Sequence, residues 1–217
     1  MRQRGFSQFL FFLAEVTICS SYILEKVLFP EDASPGGKCL DGTPAGFYVR
    51  RGTNPNLFMI DLEGGGSCAT KEECDKRASG NLGSSKRWPD VREGGNTLHH
   101  DCSKNKDFCL ATAVFVPYCT GDVHLGTRIE TTWESLGYQF HGRYNFMLMI
   151  DILEQNYGLG DAKAVLFTGS SAGAYGTYYT VDWLADRLPN AVVKAAPRVG
   201  KSETKSFLKT SKLISCV

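Results

Sequence analysis

Residues 165–176 have the sequence VLFTGSSAGAYG, and this stretch decides the fold of the 217-residue chain. An apolar run ends in a Gly-x-Ser-x-Gly pattern centred on Ser171, and small residues that suit a helix start follow at once. In a nucleophile elbow, a strand ends, the serine adopts a strained conformation and a helix begins. Gly169 and Gly173 remove side chains where strand and helix approach, which leaves the serine hydroxyl exposed. The alternative is a strand-to-helix turn without chemistry.

A glycine triplet follows an earlier apolar run. Residues 57–62 (LFMIDL) are apolar and bounded by turn sequences, which predicts a buried strand. Gly64, Gly65 and Gly66 come next, followed by Ser67. Bare backbone N–H groups in such a loop can approach a ligand closely, as in the oxyanion hole of serine hydrolases. A flexible loop without function is the alternative.

Strand and helix patterns alternate along the rest of the chain. Residues 113–116 predict a second buried strand, and apolar residues from Phe146 to Tyr157 recur at helical spacing. With the elbow strand and its helix, this order predicts an α/β fold with a largely parallel central sheet and flanking helices. The strands at 57–62, 113–116 and 164–168 should be neighbours, so that the loops after them share one edge.

Weaker signals complete the expected architecture. Residues 46–50 predict an outer strand of the sheet, and 191–196 a further strand after the elbow helix. Thr70 and Glu73 have the spacing of a capping box that starts a short helix. Residues 78–107 form a polar insertion that contains His99, His100 and Asp101; we interpret these histidines as exposed loop residues.

Composition and the N-terminus bear on location. With 42% hydrophobic residues and a net charge of +1, the chain suits one globular domain and has no general attraction to nucleic acid. Residues 1–21 run from basic to apolar to small, which predicts a secretory signal peptide and an extracellular protein. Glu15 weakens this pattern, and a second apolar run follows it. Two alternatives therefore stay open: an uncleaved signal anchor in contact with the membrane, or a cytosolic N-terminus.

The eight cysteines favour the same compartment. Setting aside Cys19 in the leader and Cys216 in the tail leaves an even number, which predicts three disulfides whose pairing the sequence does not choose. No Cys-x-x-Cys spacing is present and the histidines are not at ligand spacing with the cysteines, so no metal site is expected. The predicted set is Cys39, Cys68, Cys74, Cys102, Cys109 and Cys119.

Four motifs in order resemble the pectin acetylesterase and Notum family. They are CLDGTP at 39–44, LEGGGSC at 62–68, YCTGD at 118–122 and GSSAG at 169–173. The resemblance implies an α/β-hydrolase-like domain over residues 39–200 that hydrolyses carboxylic esters without a cofactor. It also implies a secreted, disulfide-bonded protein whose substrate is an acylated polysaccharide, such as acetylated pectin, or an acylated protein, such as the fatty-acylated Wnt that Notum deacylates.

The resemblance also implies roles for single residues. Ser171 corresponds to the nucleophile, and the backbone N–H groups of Gly66, Ser67 and Ala172 correspond to the oxyanion hole. Family members commonly carry tryptophan at the position of Ser67, so the pocket wall differs here while the backbone donor remains.

The triad partners of the family have no counterpart in this sequence. In this fold the carboxylate and then the histidine follow the serine, whereas His99, His100, His124 and His141 all precede it. The chain is therefore expected to be the N-terminal part of a family member, with the C-terminal part of the fold missing and a divergent tail at 201–217. His124 is the one local substitute for the base, and we interpret it as a surface loop histidine.

Two alternatives to an active esterase follow from that absence. The chain could be a catalytically inactive binding or decoy protein that retains the substrate cleft. It could also fail to form a stable protein, because half of an α/β sheet exposes a strand edge and an apolar face.

Overall fold

The computed structural model of the protein describes residues 22–128 and 137–198, together with the backbone of residues 209–210. The predicted signal peptide at 1–21 lies outside the described residues, as do Cys19, Cys216 and the rest of the tail at 201–217.

Within the described residues, the regular structure consists of three α-helices, two short 3-10 helices and eight strands. The α-helices are α1 (Lys71–Ala78), α2 (Gly142–Tyr157) and α3 (Ala172–Arg187). The strands are β1 (Ile23–Leu28), β2 (Gly46–Arg50), β3 (Leu57–Leu62), β4 (Val91–Glu93), β5 (Thr112–Val116), β6 (Ala164–Ser170), β7 (Val192–Arg198) and β8 (Lys209–Thr210).

All eight strands join one mixed sheet in the order β4-β1-β2-β5-β3-β6-β7-β8. Strands β5, β3, β6 and β7 are parallel, whereas β4, β1, β2 and β8 join antiparallel. The α/β-hydrolase-like arrangement and the three neighbouring parallel strands that the sequence predicts are confirmed. The tail at 201–217 contributes β8, which pairs with β7 at Lys194 and Ala195.

The prediction that residues 46–50 form an outer strand is wrong. Strand β2 lies between β1 and β5, and all five of its residues are buried. The sheet extends beyond β2 because residues 23–28, which lie in the second apolar run after Glu15, form β1 and pair with β2 and β4. Within the described residues, no helix is long and apolar enough to cross a membrane.

Helix boundaries follow the local signals in the sequence. The Thr70 hydroxyl accepts a hydrogen bond from the Glu73 N–H at 3.3 Å, and the Glu73 carboxylate accepts from the Thr70 N–H at 3.3 Å, so the predicted capping box starts α1. Helix α2 ends at Gly158, whose φ of 80° lies in the left-handed region that glycine adopts at low cost.

The core between α2, α3 and the sheet is built on one face of β6 and β7. Val165, Phe167, Val193 and Ala195 are buried there, and Phe167 stacks on Phe146 of α2 with ring centroids 5.3 Å apart. The opposite face of these strands is only partly covered by described residues, and Val192 is 54% exposed. The burial alternates because successive side chains of a strand point to opposite faces.

Three disulfides form among the six predicted cysteines. The pairs are Cys39–Cys119, Cys68–Cys74 and Cys102–Cys109, with Cα atoms 4.9, 5.2 and 5.0 Å apart. The prediction of three bridges is confirmed, and the fold selects the pairing that the sequence left open.

Gly169 is required where β6 meets α3. A Cβ at this position would lie 2.3 Å from the Gly173 carbonyl oxygen, so any side chain displaces the helix. We expect Gly169→Ala to lower the free energy of unfolding by about 1–3 kcal/mol, in the range typical of overpacking. Urea unfolding of the two proteins measures the difference.

Gly160→Ala is the matched control, because a Cβ at Gly160 meets no atom within 4 Å. Equal destabilisation by both substitutions would contradict the close contact between β6 and α3.

Candidate functional site

The carboxyl ends of three parallel strands define the candidate site. In the sheet, Leu62 of β3 lies opposite Val116 of β5 on one side and Gly169 of β6 on the other. The loops after these strands therefore start side by side, and the N–H of Tyr118 in one loop donates to the Glu63 carboxylate of another at 2.9 Å. The prediction that these loops share one edge of the sheet is confirmed.

Ser171 lies at the junction of β6 and α3 in a strained conformation. Its φ of 52° and ψ of −115° resemble the first central position of a type II′ turn, where glycine is the usual residue. Such a backbone costs about 1–3 kcal/mol in a non-glycine residue and persists only where its surroundings enforce it. The Ser171 side chain is exposed to solvent.

Hydrogen bonds from β7 and α3 enforce that conformation. The Ser171 N–H donates to the Arg198 carbonyl at 3.0 Å, and its carbonyl accepts from the Ala174 N–H at 2.9 Å. The Arg198 guanidinium in turn donates to both carboxylate oxygens of Asp61 at 2.8 and 3.1 Å. Burial raises the pKa of Asp61, whereas the charge of Arg198 opposes that shift.

The glycine loop lies against the elbow through Gly64. A Cβ on Gly64 would lie 2.4 Å from the Ser170 carbonyl oxygen and 3.1 Å from the Ser171 Cβ. Gly66 has a φ of 73° and faces the Arg77 guanidinium, and both it and Ser67 are exposed. Ala172, the first residue of α3, is buried.

The backbone donors assigned to the oxyanion hole are free within the described part of the chain. The N–H groups of Gly66, Ser67 and Ala172 find no hydrogen-bond acceptor among residues 22–128 and 137–198. For Ala172 this follows from its place in the first turn of a helix, where N–H groups have no intrahelical partner and the helix dipole is positive. These N–H groups can therefore donate to an anionic oxygen without breaking an existing hydrogen bond.

His124 is a buried residue, so its interpretation as a surface loop histidine is wrong. Its side chain packs between Tyr118, with ring centroids 4.7 Å apart, and Gly176 of α3. The ring Nε2–H donates to the Glu63 carbonyl at 2.9 Å. Burial lowers the pKa of His124 below its usual 6.5, while the Glu63 hydrogen bond and the charge of Asp122 act in the opposite direction.

The remaining histidines lie in two places, and His141 adjoins the loop after β5, because the N–H of its neighbour Gly142 donates to the Asp122 carboxylate at 2.8 Å. His99 and His100 stack on each other, and His100 also contacts Tyr22 just before β1. His141 directly precedes α2 and is buried. Across the described residues, no histidine nitrogen is hydrogen-bonded to the Ser171 hydroxyl, and no group of three or more His, Cys, Asp or Glu side chains could hold a metal ion.

Comparison with known sequences decides the family. The sequence model of the pectinacetylesterase family matches residues 19–208. The chain belongs to this family. Family members that it resembles include the palmitoleoyl-protein carboxylesterase notum1a of Danio rerio, 36% identical over 176 residues. The palmitoleoyl-protein carboxylesterase NOTUM of Homo sapiens is 33% identical over 174 residues, and pectin acetylesterase 4 of Arabidopsis thaliana is 33% identical over 162.

The matches cover most of this chain but a smaller part of the relatives. They include 78% of this chain for the two palmitoleoyl-protein carboxylesterases and 73% for the plant protein. They extend over 34% of each of the first two relatives and 39% of the third. The chain thus spans about a third of the length of these family members.

Several residues around the site make contacts that no local sequence pattern predicts. Arg77 binds carbonyl groups of the glycine loop, the Glu63 carboxylate binds the loop after β5, and Asp61 pairs with Arg198 across the sheet. Burial raises the pKa of Glu63, and its bond from the Tyr118 N–H opposes the shift. These contacts join residues that are far apart in sequence, so local patterns do not reveal them.

His124 should make stability depend on pH. An unfolded histidine titrates near pH 6.5, whereas the folded pKa is lower, so the unfolded state binds more protons as the pH falls below about 6.5. Stability from the neutral ring is present above that pH and lost below it. Between about pH 8 and pH 5.5, we expect wild type to lose about 1 kcal/mol more than His124→Gln, whose amide does not titrate.

Chemical denaturation of both proteins at each pH provides the measurement. An identical pH dependence in wild type and His124→Gln would contradict the buried neutral state of His124.

Proposed function

We propose that this family member is a carboxylic ester hydrolase in which Ser171 is the nucleophile and the N–H groups of Gly66, Ser67 and Ala172 bind the oxyanion. The observation that carries the proposal is the exposed, strained Ser171 at the N-terminus of α3, next to a glycine loop whose N–H groups have no acceptor in the described chain. An exposed hydroxyl beside free, fixed donors suits acyl transfer.

The proposed reaction has two steps. The Ser171 oxygen attacks the ester carbonyl, its proton passes through a base to the departing alcohol, and an acyl-enzyme forms. Water then attacks the acyl group with help from the same base, which releases the carboxylic acid and restores the serine. In both steps the backbone donors stabilise the negative charge on the carbonyl oxygen.

The base is assigned to no residue of this sequence. The His124 Nε2–H donates to the Glu63 carbonyl, and no other histidine of the described residues is hydrogen-bonded to the Ser171 hydroxyl. A serine hydroxyl without a base is a poor nucleophile, so the 217-residue polypeptide alone should turn over esters poorly.

Two substrate classes follow from the names of the relatives. Pectin acetylesterase 4 suggests an acetylated polysaccharide, and the palmitoleoyl-protein carboxylesterases suggest a fatty-acylated protein. We propose an ester of one of these classes as the substrate and an extracellular location, which the three disulfides support.

A second candidate function is ester binding without turnover. It is favoured by one observation, that no histidine of the described residues is hydrogen-bonded to Ser171. Such a protein would retain the cleft and hold an acylated ligand.

Added imidazole separates the two candidates. We expect the purified chain to hydrolyse p-nitrophenyl acetate no faster than Ser171→Ala, because no histidine of the described residues is hydrogen-bonded to Ser171 to act as its base. Imidazole hydrolyses this ester on its own, but it should also supply a base to Ser171. Wild type with imidazole should therefore exceed Ser171→Ala with imidazole, as measured by nitrophenolate release.

Equal rates of the two proteins in imidazole would contradict the esterase proposal and favour binding without turnover. A Ser171-dependent rate without imidazole would instead show that the chain contains its own base. A His124→Ala variant would then test whether His124 provides it.

The extracellular location predicts oxidised cysteines in protein collected from the medium of secreting cells. Alkylation without reduction followed by mass spectrometry should find the Cys39–Cys119, Cys68–Cys74 and Cys102–Cys109 peptides linked. The reduced protein is the control, in which all six become alkylated. Six free thiols before reduction would contradict the three disulfides on which this location is argued.

A further inference from the structure

Arg77 on α1 reaches back to the glycine loop that precedes the helix. Its Nη2 donates to the Gly65 carbonyl at 2.7 Å and to the Ser67 carbonyl at 3.3 Å. Its Nη1 donates to the Leu82 carbonyl at 3.5 Å. One guanidinium therefore binds three backbone carbonyls, two of which belong to the loop that carries the proposed oxyanion donors.

The hydrogen bond from Arg77 to the Gly65 carbonyl also sets the direction of the Gly66 N–H. In a trans peptide the C=O and the N–H point in opposite directions. Because the Gly65 carbonyl points at Arg77, the Gly66 N–H of the same peptide unit points away from it. The peptide unit between Ser67 and Cys68 is oriented in the same way. Its carbonyl accepts from Arg77, and its N–H, on the opposite side, donates to the Gly121 carbonyl at 3.1 Å.

The glycine loop needs a hydrogen bond from outside because few contacts of its own restrict its backbone conformation. Gly65 and Gly66 have φ values of 153° and 73°, and glycine has access to many other conformations. Neither glycine N–H has an acceptor in the described part of the chain. Without the guanidinium, the peptide between them could rotate at little cost.

Arg77 is itself firmly placed. The Cys68–Cys74 disulfide ties the end of the loop to α1, and the capping box fixes the start of that helix. The guanidinium carbon lies 5.4 Å from the ring centroid of Tyr118, which belongs to the loop after β5. The half-buried side chain thus connects α1 to two of the three loops at the site.

We propose that Arg77 is a positioning residue that directs the Gly66 N–H toward the oxyanion. It acts through the backbone and touches no reacting atom. The proposal rests on the proposed function, because that function makes Gly66 a donor to the oxyanion.

Lys76 offers a matched control on the same helix. Lys76 is exposed and, together with Arg77 and Ser67, lines a hollow of about 430 Å³. Its ammonium makes no hydrogen bond to the described glycine loop. Lys76→Met and Arg77→Met remove the same charge from adjacent positions, so a difference between them reports the bonds of Arg77.

The test uses the ¹⁵N-labelled 217-residue chain, with acetate as the oxyanion probe. In wild type and Lys76→Met, the amide signals of Gly66 and Ala172 should shift and saturate as acetate is added. In Arg77→Met, the Gly66 shift should be lost while the Ala172 shift remains. Guanidinium, added far below denaturing concentrations, should restore the Gly66 shift in Arg77→Met, a rescue that a merely structural role would not produce.

Amide exchange provides a second measurement that does not depend on acetate binding. The Cys68 N–H should exchange about tenfold faster in Arg77→Met than in wild type, as expected for loss of a charged hydrogen bond that orders the loop. Lys76→Met should leave its exchange unchanged. If Arg77→Met does not fold, Arg77→Lys replaces it, because a single ammonium cannot reproduce the planar fork.

The outcomes separate the two proposals. A normal Gly66 shift in the Arg77 variant, or failure of guanidinium to restore a lost one, would overturn the role of Arg77. If neither Gly66 nor Ala172 responds to acetate in wild type, the proposed oxyanion site is wrong. Unchanged Cys68 exchange in the Arg77 variant would then also overturn the anchoring of the loop by Arg77.

Discussion

The structure of the site depends on the close contact between the first turn of α3 and the ends of β3 and β6. A Cβ on Gly173 would lie 2.2 Å from the Leu62 carbonyl oxygen, and one on Gly169 would lie 2.3 Å from the Gly173 carbonyl oxygen. Only bare backbone on both sides allows this approach. It places the strained Ser171 directly beside Gly64. The proposed nucleophile and the glycine loop therefore meet because a helix and two strands are packed without side chains between them.

The loops around that contact are fixed by groups remote in sequence. Arg77 binds the glycine loop from α1, and His124 binds the Glu63 carbonyl from the loop after β5. The Cys39–Cys119 disulfide fastens the same loop to the segment before β2. Donors that are fixed before a substrate arrives need no reorganisation when charge develops, which is the physical basis of an oxyanion hole.

The sequence predicts those parts of the fold in which local pattern and tertiary role coincide. The apolar runs of β3, β5 and β6, the capping box of α1 and the elbow are all recognisable, because each needs particular residue types at fixed spacing. Strand β1 is not, since its apolar residues closely follow those of the N-terminal segment and no turn signal separates the two. The burial of His124 and the hydrogen bond from Arg77 to the Gly65 carbonyl depend on how separate segments pack. A backbone carbonyl is present in every residue, so the sequence does not show which one Arg77 binds.

A crystal structure of the chain grown with dimethylarsinate, a tetrahedral oxyanion, would show whether Gly66, Ala172 and Ser171 form one oxyanion site. We expect one anion oxygen within about 2.7–3.1 Å of the backbone nitrogens of both Gly66 and Ala172, with the Ser171 hydroxyl beside the arsenic centre. A Gly66 Cα more than about 10 Å from Ser171, or a Gly66 N–H turned toward Arg77, would contradict it, because donors and nucleophile must share one reacting carbon.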